Sequence, residues 1–203
     1  MHTILRSSVA ALAALALASA AFAAAEIAKP APEFTLTDTH GKTHRLSDFK
    51  GKVVVLEWVN LGCPYVKNQY ATRNMQNLQK TYTGKGVVWL SVCSSADGQQ
   101  GHHSAKEWND KIAQHAIAST AVLVDASGTV GKLYGAKTTP HMFVINADGV
   151  LAYNGAIDSA ATTNAAETAK AKNHVAAAVD ALLAGKPVEV ASTRPYGCGV
   201  KYR

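Results

Sequence analysis

The chain is poor in cysteine, in charge and in long apolar runs. Of its 203 residues only 3 are cysteine and 17% are charged. Beyond the first two dozen residues no stretch offers the ~20 consecutive apolar positions of a membrane-spanning helix. Lysine and arginine are scattered singly, so the net charge of +6 forms no block of the kind that makes a nucleic-acid arm. There is no internal repeat. The composition, 48% hydrophobic, suits one domain with a full core.

The first residues follow an export pattern: Arg6 as the basic start, an apolar middle from Val9 to Leu17, and Ala21-Phe22-Ala23 as a small-x-small cleavage site. The expected organisation is a signal peptide over 1–23, a domain over 24–190 and a tail over 191–203, with the mature protein periplasmic or secreted. Disulfides persist in such a compartment. An odd number of cysteines there leaves one thiol that is reactive, shielded or engaged with another chain.

Strands and helices alternate along the body. Phe34 to Thr37 alternates apolar and polar as a half-buried strand does, while Val53 to Val59 and Val87 to Val92 are nearly continuous apolar runs, as in strands covered on both faces. Tyr65 to Tyr82 reads as one helix. Ser104 and Glu107 have capping-box spacing for a second. Strand Thr120 to Val124, a short helix at Val130 to Leu133, a hairpin turning at Asp148-Gly149 and an Ala-rich helix over 164–184 complete the order. The three tryptophans, Trp58, Trp89 and Trp108, fall at periodic apolar positions and are expected in the core.

Cys63 lies between a buried strand and a helix, with Pro64 at the first helical position. A strand-to-helix junction places a side chain at the carboxyl end of the sheet, beside helix N–H groups that favour an anion. A thiolate there is stabilised, and the thiolate is the nucleophilic form.

Lys52 to Val66, read with Thr138-Thr139-Pro140, resembles the thioredoxin-like superfamily. Pro32-Glu33-Phe34, Gly41-Lys42, Leu46-Ser47-Asp48-Phe49 and Gly51-Lys52 are similar to its redoxin branch, the alkyl hydroperoxide reductase and thiol-specific antioxidant type. The resemblance covers roughly Ala31 to Asp158. It implies an α/β thioredoxin-like fold, a central mixed sheet flanked by helices, here with an N-terminal β extension and a C-terminal tail. It also implies that Cys63 is the nucleophile and Pro140 a cis-proline packed against it, with Pro64, Thr139 and His141 near the site.

Two departures matter. The second cysteine of a thioredoxin motif is replaced by Val66, and the peroxiredoxin threonine or serine three residues before the nucleophile is replaced by Asn60, with Leu56 where a proline is usual. Asn60 retains a donor for a peroxide or thiolate. A resolving thiol must then be Cys93, at the end of a parallel strand on the same sheet edge, or Cys198, on a Gly-flanked tail. Cys93 reads equally as a small buried hydrophobe, and Cys198 as an idle thiol or a static bridge to Cys93.

The preferred reading is a peroxidase of hydrogen peroxide or organic hydroperoxides, since one cysteine with a distant resolver can complete that cycle. It needs no cofactor and takes electrons from a thioredoxin-like or small-thiol reductant. The alternatives are a thiol-disulfide oxidoreductase acting on proteins, a copper chaperone using Cys63 and His141, and a partner-binding domain with an inert Cys63. His102 and His103 read as solvated loop residues rather than zinc ligands.

Overall fold

A computed structural model describes residues 24–203. The expected signal peptide, 1–23, lies outside the described residues. In chain order the elements are β1 (Thr35–Asp38), β2 (Thr43–Arg45), a 3-10 turn (Leu46–Phe49), β3 (Val54–Trp58), α1 (Pro64–Ala71), α2 (Asn74–Gly84), β4 (Val88–Cys93), α3 (Ala105–His115), β5 (Ala121–Val124), α4 (Thr129–Tyr134), β6 (Thr138–Thr139), β7 (His141–Ile145), β8 (Leu151–Gly155), α5 (Ala165–Thr168), α6 (His174–Leu183) and β9 (Cys198–Gly199). Seven strands form one mixed sheet in the order β2-β1-β5-β4-β3-β7-β8, while β6 and β9 pair apart from it.

The continuous apolar runs become the parallel centre. β3 pairs with β4, and β4 with β5, in parallel, whereas β7 runs antiparallel against β3. Every residue of β3, β4 and β7 is buried, because helices cover both faces as parallel strands require. Side chains alternate across the pleat. Leu56, Trp58, Leu90 and Phe143 therefore join one core with Tyr134, and Val55, Trp89, Met75, Trp108 and Val179 join the other.

Two helices expected to be continuous are broken. The run from Tyr65 to Tyr82 splits at Arg73, which has a left-handed φ of 60°. Its apolar positions explain the break: the step from Tyr70 to Met75 is one residue too long for a single face, and the reversal at Arg73 restores the register. Thr72 assists by donating its hydroxyl back to the carbonyl of Asn68 at 2.9 Å. The Ala-rich segment likewise divides into α5 and α6. Asn164 caps the first, accepting from Ala166 N–H, and Asn173 caps the second, accepting from Ala176 N–H.

Ser104 and Glu107 form the expected capping box at the start of α3. The tail beyond Pro187 is docked along its length. Asn154 N–H donates to Ala191, Val200 N–H to Lys137 and Ala96 N–H to Lys201. Among the described residues no helix is long and apolar enough to cross a membrane.

Candidate active site

β3 delivers its chain to the carboxyl edge of the sheet, and a tight turn hands it to α1. Asn60 builds that turn. Its carbonyl accepts from Cys63 N–H at 2.9 Å, its Oδ1 accepts from Gly62 N–H at 2.8 Å and its Nδ2 donates to the Gln100 carbonyl at 3.1 Å. Both polar ends of this buried side chain are thereby committed to backbone groups. It holds the turn that positions Cys63.

Cys63 is the N-cap of α1, with Pro64 at the first helical position. Its thiol donates to the Thr139 carbonyl at 3.0 Å, and the Thr139–Pro140 bond that follows is cis. Thr139 is also the register partner of Cys198, because β9 lies antiparallel along β6. The tail thus lays its cysteine beside Cys63. Burial pushes the Cys63 thiol up, but hydrogen bonds from the Cys198 thiol, the Val66 and Cys198 N–H groups and the Thr139 hydroxyl more than offset this and hold it below the ordinary thiol value. Burial, then the hydrogen bond and negative charge of Cys63, push Cys198 up to about 11, with Lys201 opposing.

The electrostatics set a pH profile. Alkylation consumes the thiolate, so the rate at Cys63 rises with pH through its pKa and then levels. With iodoacetamide and a Cys93→Ser background, the midpoint is expected below the ~8.5 of a free thiol. Cys198→Ala removes the strongest of the lowering hydrogen bonds and should move the midpoint upward. A wild-type midpoint at or above ~8.5, or an unmoved one in the variant, contradicts this account.

Cys93 is placed otherwise. It is buried, its thiol donates to the Gly101 carbonyl at 3.3 Å, and burial raises its pKa. His141 is 2% exposed at the start of β7. Its Nδ1 accepts from Lys137 N–H at 3.1 Å, so its Nε2–H faces Asn154 Oδ1 at 2.7 Å. Burial lowers its pKa to about 4. The ring is neutral with both nitrogens engaged, and has no lone pair free for copper. His102 pairs with Asp97 at 3.4 Å and His103 stands edge-on to Trp108. Among the described residues no group of three or more His, Cys, Asp or Glu is placed to hold a metal ion.

Three residues that sequence reasoning missed anchor the tail beside Cys63. Asp158, 2% exposed, accepts from Tyr196 Oη at 2.6 Å and from Gln69 Nε2 at 2.7 Å. Tyr196 packs against Tyr65 with ring centroids 5.7 Å apart. The only available signal was an aromatic residue two positions before a cysteine in an otherwise aperiodic tail.

Residues 27–154 match the AhpC/TSA family along the segment that carries β1 through β8 and Cys63. The chain belongs to that family. Within it, similarity runs toward thiol-disulfide enzymes. The chain is 31% identical over 124 residues to the thiol-disulfide oxidoreductase ResA of Bacillus thuringiensis, covering 61% of this chain and 66% of the relative. It is 29% identical over 131 residues to the thiol:disulfide interchange protein DsbE of Vibrio cholerae, with 63% of each covered. It thus spans slightly less than two thirds of either relative. An uncharacterized conserved protein from Geobacillus kaustophilus has a similar structure, with a TM-score of 0.75 at 26% identity over 95% of this chain and 98% of that one. The chain is thus a thioredoxin-like member of the AhpC/TSA family, and the curated relatives it resembles are named for disulfide exchange, not for the peroxide reduction expected from the sequence.

Proposed function

We propose that the protein is an exported thiol-disulfide oxidoreductase in which Cys63 attacks a disulfide sulfur. The observation that carries the reading is the placement of Cys63: it is the N-cap residue of α1, its sulfur faces the carbonyl of Thr139 before cis-Pro140, and the Cys198 thiol lies beside it. Thiolate attack on a disulfide needs a lowered pKa and a second sulfur to complete exchange, and the hydrogen bonds around Cys63 and the placement of Cys198 support both. Export rests on the pattern in residues 1–23, and the names of the ResA and DsbE relatives support a disulfide rather than a peroxide substrate. An external thiol reductant resets the cycle.

The test is a rate comparison. Reduced protein is mixed separately with a mixed aromatic disulfide and with hydrogen peroxide, and loss of the Cys63 thiol is followed. The disulfide is expected to react at least ~100-fold faster in second-order rate constant, as the exchange reading requires. The opposite ranking would restore the peroxidase reading.

A further inference from the structure

Disulfide exchange at Cys63 stalls as a mixed disulfide unless another sulfur displaces the bound partner, and Val66 denies the motif that sulfur. We propose that Cys198, carried by the C-terminal strand β9, is the resolving thiol and closes a disulfide with Cys63 inside one chain. The inference rests on the thiol-disulfide reading above and names the second half of its reaction.

The tail is built to bring this thiol to the site. Cys198 stands opposite Thr139 in the β6–β9 ladder, and Thr139 is the residue whose carbonyl receives the Cys63 thiol at 3.0 Å. Thr139 Oγ1 also reaches the Cys198 carbonyl at 3.5 Å, so one residue contacts both cysteines. Gly197, at φ +133°, lets the strand settle, since a Cβ there would run into the Thr139 carbonyl. Gly131 leaves the space that Tyr202 fills, and Tyr202 Oη donates to the Ala136 carbonyl at 2.9 Å. Anchors therefore lie on both sides of Cys198, at Tyr196 and at Tyr202. The ladder between them is two residues long, short enough to open for an incoming disulfide and to close again. Cys63 is 0% exposed and Cys198, opposite Thr139, is partly exposed, so an incoming disulfide reaches Cys63 only after the structure opens around it.

The steps balance. The Cys63 thiolate attacks an external disulfide, forming one S–S bond to the partner and expelling the partner's other sulfur as thiolate. Cys198 then loses its proton and attacks the Cys63 sulfur, forming the internal disulfide and releasing the second partner sulfur. The external disulfide gains two electrons, the protein dithiol loses two, and the two protein protons end on the two released thiols. The order is favoured electrostatically: besides burial, what keeps Cys198 protonated is the hydrogen bond and charge of the Cys63 thiolate, and both vanish once Cys63 is in a mixed disulfide.

One equivalent of 5,5′-dithiobis(2-nitrobenzoate), added to the reduced full-length protein, reports the two releases in sequence by absorbance. Wild type and Cys93→Ser should release two thiolates per protein and yield a digest peptide linking Cys63 to Cys198. Cys198→Ser should release one and retain the aryl mixed disulfide on Cys63. Gly197→Ala keeps the thiol but lifts the strand, and should slow the second release at least ~10-fold while leaving the first at least as fast. A Cys63–Cys93 link, or two releases from Cys198→Ser, overturns the proposal while leaving the role of Cys63 intact. Absence of even the first release overturns both readings and is recognisable as such.

Discussion

Cys63→Ser should reduce turnover of a protein disulfide, such as that of insulin in the presence of dithiothreitol, by at least ~10³-fold. A serine hydroxyl is not ionised at neutral pH and cannot form the sulfur-sulfur bond through which exchange passes. The fold should survive, because the serine hydroxyl can donate to the Thr139 carbonyl that now receives the thiol. Matching thermal unfolding of the two proteins would confirm that chemistry alone has been lost. The Cys93→Ser variant serves as the comparison, since that sulfur is hydrogen-bonded to the Gly101 carbonyl. More than about a tenth of wild-type activity in Cys63→Ser would remove Cys63 from the mechanism.

The largest stability effect is expected at Glu57. This carboxylate is 0% exposed in the middle of β3, on the strand that delivers Cys63. It accepts from Tyr70 Oη at 3.0 Å on one oxygen, and on the other from Gln79 Nε2 at 2.9 Å, Trp89 Nε1 at 2.9 Å and Ser91 Oγ at 3.0 Å. Burial raises its pKa, against the lowering effect of those four donors. Glu57→Leu would orphan all four donors where water cannot reach them. At ~1–3 kcal/mol for each unsatisfied buried group, with incomplete additivity, the loss should be about 4 kcal/mol or more. That is a large share of a typical domain stability of ~5–15 kcal/mol.

Glu57→Gln keeps the shape and one acceptor oxygen, which can serve the three donors from Gln79, Trp89 and Ser91. Its cost should be about 1–2 kcal/mol. Urea unfolding midpoints of the two variants measure the difference. Equal and small losses would mean that the four donors find other partners, and that the network does little for the fold.

Much of this architecture could be read from residue order. The unbroken apolar runs at β3 and β4 predicted strands covered on both faces, and the structure makes them parallel neighbours at the sheet centre. Ser104 and Glu107 marked the start of α3. The helix breaks were also encoded, in the five-residue step from Tyr70 to Met75 and in the two capping asparagines, Asn164 and Asn173. Apolar periodicity hid them, because a face can resume after a reversal and still look continuous.

At the site the reading was uneven. Cys63 and Pro64 were legible because a strand-to-helix junction is a local feature. The surroundings of Asn60 were hidden for the opposite reason: its partners Gly62 and Gln100 come from a turn and a distant loop, and only the closed fold brings them to its amide. Cys93 sits on the expected sheet edge, but strand polarity fixes only the edge. The loop ending at Gly101 decides where its sulfur points.

By itself, then, the sequence determined the alternation of strands and helices, the junction that holds Cys63 and the lack of a second cysteine at position 66. Which distant thiol meets Cys63 was decided by tertiary structure alone. The path of the tail depends on contacts between residues far apart in the chain, among them Tyr196 with Asp158, Tyr202 with Ala136 and Cys198 with Thr139. No local pattern specifies such contacts, because each forms only after the sheet has placed both partners.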